Sequence, residues 1–197
     1  MASQHTVQDL ILMKKIYDNS LCTKVLQDFY TMHLTPNVYI FELSNGNGIT
    51  LLFEEDSFCH LIGLSYFGYN GEKGWSDLLK SPKIVSQFSS NQNYGCQKYR
   101  INNFNQIVSV LSNPQMYIYK SSEHPDLSYK SDYFAVYSDG TRYYKLGIGT
   151  TKTMLNYPET FQVSLIAGKD NKEIDPKNLL KVISKKVINK STYINDR

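Results

Sequence analysis

The stretch "VYIFELSNGNGITLLFEE", residues 38–55, decides the fold. Two runs rich in β-branched and aromatic residues flank Asn45-Gly46-Asn47-Gly48, a strong turn signal, and together they predict a β-hairpin. Upstream, Leu10, Met13, Ile16, Tyr17, Leu21, Val25 and Phe29 recur at spacings of three and four. That period predicts helix from Thr6 to about Met32. Thr6 and Asp9 resemble a capping pair at its start. Asn19 and Ser20 offer a break into two helices, and Pro36 ends the segment.

Downstream of the hairpin, a short extended piece is expected to carry His60. "GWSDLL" (74–79) and "SPKIVSQFSS" (81–90) read as helices, the second with Ser81 as N-cap and Pro82 at the first helical position. "NNFNQIVSVLSNP" (102–114) reads as another, with Phe104, Ile107, Val108 and Leu111 on one face and Pro114 as its stop. From residue 115 the period changes to two. "QMYIYK", "DYFAVYS", "TRYYKLGIG" and "TFQVSLIAG" read as four strands, with Asp139-Gly140 turning the second into the third. Asp175 and Pro176 then open an expected amphipathic helix with Leu179, Leu180, Val182 and Ile183. The expected class is α+β: N-terminal helices, a β-hairpin, helices, then a four-stranded antiparallel sheet and a C-terminal helix. The expected organisation is an N-terminal helical extension (1–37), one α+β domain (38–188) and a tail (189–197).

Alternation sorts the later strands into two faces. One takes Met116, Ile118, Phe134, Val136, Tyr144, Leu146, Ile148, Phe161, Val163 and Leu165, and should pack on helices. The other takes Tyr117, Tyr119, Tyr133, Tyr137, Tyr143, Lys145, Thr160, Gln162 and Ser164. It reads either as an idle tyrosine-rich surface or as a platform where bases stack and phosphates meet Lys120, Arg142, Lys145 and Lys152. Stacking a base on an aromatic ring is worth roughly 1–3 kcal/mol. A one-residue slip of register would exchange the faces.

Composition narrows the class. Among 197 residues there are 16 tyrosines against one tryptophan, and tyrosine is common at wet binding surfaces. The net charge of +3 is too mild to establish a nucleic-acid partner and does not exclude one. Cys22, Cys59 and Cys96 are odd in number and widely spaced, which reads as reduced thiols in a cytoplasmic protein. No apolar run approaches the roughly 18 residues of a membrane span, and the first residues do not resemble a secretory signal.

Several chemistries lack their residues. There is no HExxH, no CxxC and no paired carboxylate–histidine cluster. "LGIGTTK" lacks the spacing of a phosphate loop, and no nucleophile elbow supports a serine triad. Acid–base chemistry without metal or cofactor remains. RNA carries its own nucleophile, the 2′-hydroxyl, so an enzyme needs a base, an acid and groups that stabilise the phosphate. His60 is the first choice for proton transfer, a turn histidine being the plain alternative. Lys145 would neutralise a phosphate oxygen, or is a solvated strand lysine. Thr160, fixed by Pro158, would present a hydroxyl, or is a β-former at a strand start. His5 and His33 read as loop or helix-end residues, and His124 as a reserve acid.

"FCHLIGL" (58–64), following the "IxLxF" strand at 49–53, resembles the histidine motif of phage and mobile-element nucleases grouped with barnase, EndoU, the colicin nucleases and RelE. "NYPETF" (156–161) resembles that group's Y-x-P-x-[Ser/Thr]-F strand entry. The resemblance spans roughly residues 38 to 166. It implies a helix-plus-antiparallel-sheet ribonuclease, metal-free cleavage and an active site on the concave sheet face. His60 and Thr160 follow by motif, and Lys145 by its place on the penultimate strand. Mobile-element proteins of this kind act as toxins or against host defence, as anti-CRISPR proteins do. RNA and a CRISPR effector ribonucleoprotein are therefore the implied partners. A non-catalytic module that binds RNA or such a ribonucleoprotein is the competing expectation.

Overall fold

The computed structural model describes residues 4–120, 122, 130–151, 155–165, 171 and 174–195. Lys152 and His124 lie outside them. The chain forms two compact units, Met1–Thr35 with Glu54–Gln106, and Pro36–Phe53 with Ile107–Arg197.

The first unit is helical. α1 (Val7–Ile11) is opened by a capping box in which Thr6 Oγ1 accepts from the Asp9 N–H and the Asp9 carboxylate accepts from the Thr6 N–H. The expected long helix stops there and resumes as α2 (Thr23–His33). α3 (Phe58–Leu61) is a single turn, so His60 sits on a helix and not on the extended piece expected for it. α4 (Gly71–Lys80) contains the "GWSDLL" segment. Within 81–90 only a 3-10 turn, Val85–Phe88, forms. α5 (Tyr94–Asn102) was not expected, because a helix with Ile101 as its main apolar residue shows no stripe. The core is aromatic. Phe58 meets Tyr30 at 5.2 Å and Trp75 at 5.1 Å, both edge-on, and Phe29 meets Phe104 at 6.1 Å. Edge-to-face pairs add about 0.5–1.5 kcal/mol each beyond their burial.

The second unit overturns the four-stranded antiparallel expectation. Among the described residues its sheet has eight strands: β1 (Asn37–Leu43), β2 (Gly48–Leu52), β3 (Gln115–Ile118), β4 (Tyr133–Ser138), β5 (Arg142–Thr150), β6 (Asn156–Leu165), β7 (Leu179–Leu180) and β8 (Val182–Asn189). The order is β7-β3-β4-β5-β6-β2-β1-β8. The hairpin joins this sheet through a parallel contact of β2 with β6, Leu51 opposite Asn156, so the sheet is mixed. Asn156 secures the join, its Oδ1 accepting from the Thr50 N–H at 2.8 Å.

The expected C-terminal helix is also replaced by strand. Leu179, Leu180, Val182 and Ile183 fit a helical stripe as well as a strand, and neighbours decide. β7 pairs with β3 and β8 pairs with β1, both antiparallel. Only Lys181 separates these two edge strands in sequence, so the sheet curls nearly into a barrel. α6 (Ile107–Ser112) packs on β4 and β5. Lys185 Nζ donates to the Ser112 carbonyl at its C-terminal end, at 2.7 Å. α7 (Lys190–Asn195) closes the described chain.

Candidate active site

The register of the sheet fixes which side chains share a face, because residues opposite one another point the same way. Met116, Ala135, Leu146 and Phe161 form one cross-strand row, and all are buried. The row beside it is Tyr117, Phe134, Gly147 and Thr160, pointing to the other face. The next row on that face is Gln115, Val136, Lys145 and Gln162.

This arrangement corrects the expected faces. Phe134 and Val136 lie with Tyr117, not with Met116 and Ile118. Tyr133 and Tyr137 point to the opposite face, with Ile148 and Tyr144. Tyr133 Oη accepts from Asn47 Nδ2 at 3.1 Å, and Tyr137 stacks on Tyr144 at 6.1 Å. Arg142 starts β5 on the side of Tyr144, away from Tyr143. Lys120 is exposed just beyond β3.

Seven of the expected residues therefore share one face: Tyr117, Tyr119, Tyr143, Lys145, Thr160, Gln162 and Ser164. The face is not a wet platform. Tyr117 and Tyr119 are 6% and 5% exposed and cluster with Phe134 and Val136. Tyr119 meets Phe134 edge-on at 5.3 Å. Burial, then the neighbouring Tyr143, pushes the Tyr117 phenol above its ordinary pKa. Lys145 is 1% exposed. Taking an ammonium out of water costs several kcal/mol in real proteins. A lysine in this position is therefore not explained as a solvated strand residue.

Thr160, also buried, lies on the diagonal from Lys145, a spacing of roughly 7–8 Å in antiparallel sheet. A bulge at Gly147/Ile148 makes Glu159 the extra residue of β6 and sets Thr160 opposite Gly147. Gly147 is required there. A Cβ would overlap Ser131 Oγ and lie 2.9 Å from Thr160 Cγ2.

Glu159 and Ser131 escaped sequence reasoning. Ser131 Oγ donates to Glu159 Oε2 at 3.0 Å, which puts a carboxylate next to Thr160. "YPET" carried the signal, but alternation alone does not reveal a bulge.

His60 belongs to the helical unit, exposed on α3 while its neighbours Phe58, Cys59 and Leu61 are buried. Gly63 ends this turn at φ +83°, its N–H bonded to the His60 carbonyl at 3.1 Å. That conformation explains the glycine of the "HLIGL" motif. Among the described residues, no group of three or more His, Cys, Asp or Glu side chains could hold a metal ion. None of the described helices is long and apolar enough to cross a membrane.

Residues 24–197 match the family model for phage-Barnase-EndoU-ColicinE5/D-RelE like nuclease4. The chain belongs to this family. The match runs from α2 through α7 and takes in the His60 turn and the eight strands described. The expected resemblance to phage-associated nucleases of this group is thereby shown. No curated protein and no solved structure gives a significant match.

Proposed function

We propose that this member of the nuclease family is an endoribonuclease that cleaves RNA through its 2′-hydroxyl without a metal ion. A base removes the proton from the 2′-oxygen, which attacks the adjacent phosphorus. The 5′-oxygen leaves with a proton from an acid, giving a 2′,3′-cyclic phosphate and a 5′-hydroxyl end. The proton-transfer role of His60, exposed on its own turn in the helical unit, is proposed on the sequence motif alone. Lys145 is assigned to the phosphate oxygens, where charge builds up in the transition state. Thr160 and Gln162 supply a hydroxyl and an amide beside it, and Glu159 supplies a carboxylate.

The observation that carries the reading is Lys145, 1% exposed, on a face shared with Thr160 and Gln162. In such a low-dielectric place, a cation acts on developing negative charge far more strongly than it would in water.

The test is a gel of end-labelled RNA incubated in EDTA with wild type and with Lys145→Met, which removes the charge at similar length. It is run on free RNA and on RNA held as the guide of a CRISPR effector, the finer target proposed for this chain. Wild type is expected to cut at least one of these, and Lys145→Met to lose roughly 10²–10³-fold in rate. Undiminished cutting by a folded Lys145→Met protein would remove Lys145 from the chemistry.

A further inference from the structure

The face of α5 formed by Gln97 and Arg100, continued by Asn93 just before the helix, lies along the turn that follows His60. These three residues are spaced four and three apart, so they share one side. Asn93 Nδ2 donates to the Tyr66 carbonyl at 3.5 Å. At Gly63 a Cβ would overlap Gln97 Oε1 and lie 3.1 Å from Arg100 Nη1. Gln97 is 7% exposed, and its Oε1 has no hydrogen-bond partner among the described residues. The Arg100 guanidinium thus rests on Gly63, whose N–H is bonded to the His60 carbonyl. The turn that carries the exposed His60 is thus met at Gly63 by half-buried Arg100 of α5.

Around it, Tyr66 and Tyr99 are 52% and 53% exposed. Lys98, the other cation of α5, holds its Nζ over the rings of Tyr94 and Tyr99 at 5.9 and 5.7 Å. A guanidinium is a planar fork of donors whose geometry matches two phosphate oxygens.

We propose that Arg100 binds a phosphate of the RNA strand beside His60, with Gln97 as the positioning residue that seats the turn. The inference rests on the ribonuclease reading for the identity of its ligand. It adds a site in the helical unit that the two sequence motifs do not contain.

The test is binding, read separately from cutting. A fluorescein-labelled single-stranded RNA with 2′-O-methyl groups throughout cannot be cleaved by its own oxygen. Its affinity for the full chain is measured by anisotropy across a range of salt. Arg100→Ala and Arg100→Gln should each bind about tenfold more weakly, and the slope of log K against log salt should fall by about 0.7. Arg100→Lys should restore the slope but not all of the affinity. Wild-type affinity and slope in both uncharged variants would overturn the proposal. So would a wild-type protein that holds no RNA. If Arg100→Ala binds weakly while wild type binds but never cuts, the Arg100 site stands and the catalytic reading falls.

Discussion

Tyr66 and Tyr99, in the helical unit, are 52% and 53% exposed, whereas Tyr117 and Tyr119, in the sheet unit, are 6% and 5% exposed. The same contrast separates His60, exposed on a one-turn helix, from Lys145, enclosed on β5. The helical unit presents Tyr66, Tyr99 and the His60 imidazole to solvent outside its aromatic core. The sheet unit packs Tyr117 and Tyr119 against Phe134 and Val136. An exposed polar group serves function at little cost to stability, while a sealed one is part of the fold as well. Substitutions in the two units should therefore separate activity from stability.

The largest expected effect is on activity alone. His60→Ala should lower RNA cleavage by roughly 10²–10⁴-fold, the usual contribution of a positioned acid or base. Its melting temperature should match wild type, because the side chain is exposed. A large loss of melting temperature would mean that His60 serves the fold. Next comes Tyr117→Ala, which should cost about 3–4 kcal/mol in denaturant unfolding, as removal of a buried aromatic ring does. Tyr99→Ala should stay within about 0.5 kcal/mol of wild type. Equal costs for the two tyrosines would erase the contrast.

Legibility divides instead by whether a signal is local or needs a partner strand. The hairpin at 38–55 was readable because Asn45-Gly46 is a local instruction that needs no partner. β7 and β8 were read as helix because Leu179, Leu180, Val182 and Ile183 acquire their meaning only from β3 and β1. The faces slipped at β4, where Phe134, Ala135 and Val136 are all buried. A strand covered on both sides shows no alternation to read. His60, Lys145 and Thr160 could be named from residue type and motif. That Lys145 and Thr160 share a face with Tyr117, and that Tyr133, Tyr137 and Arg142 do not, required the pairing register. Glu159 was hidden by the bulge.

Smaller effects test individual turns. Gly63→Ala should destabilise by about 2 kcal/mol, since an alanine at φ +83° is strained and its Cβ meets Gln97 and Arg100. Unchanged stability would show that α5 shifts freely away from the turn. The smallest effect is at the hairpin turn of the sheet unit. Burial alone would raise the Asp139 pKa. The Tyr144 hydroxyl, the N–H groups of Thr141 and Arg142 and the Thr141 hydroxyl outweigh it and hold the carboxyl well below its ordinary range. A depressed carboxylate stabilises the fold above its unfolded pKa, and that stabilisation is lost as pH falls through the folded value. Thermal melts of wild type and Asp139→Asn should therefore differ at neutral pH, and the gap should begin to close only as pH drops below about 4 and keep closing toward the lower folded value. A gap that persists in acid would assign the turn's stability to packing.

The central claim is RNA cleavage through the 2′-hydroxyl, and the identity of the sugar tests it most directly. One sequence, made as RNA and as DNA, is incubated with the full chain in EDTA and its ends are analysed. The account predicts cut RNA with a 2′,3′-cyclic phosphate at the new end, and intact DNA. Equal cutting of the DNA, or RNA cutting that stops in EDTA, would contradict it.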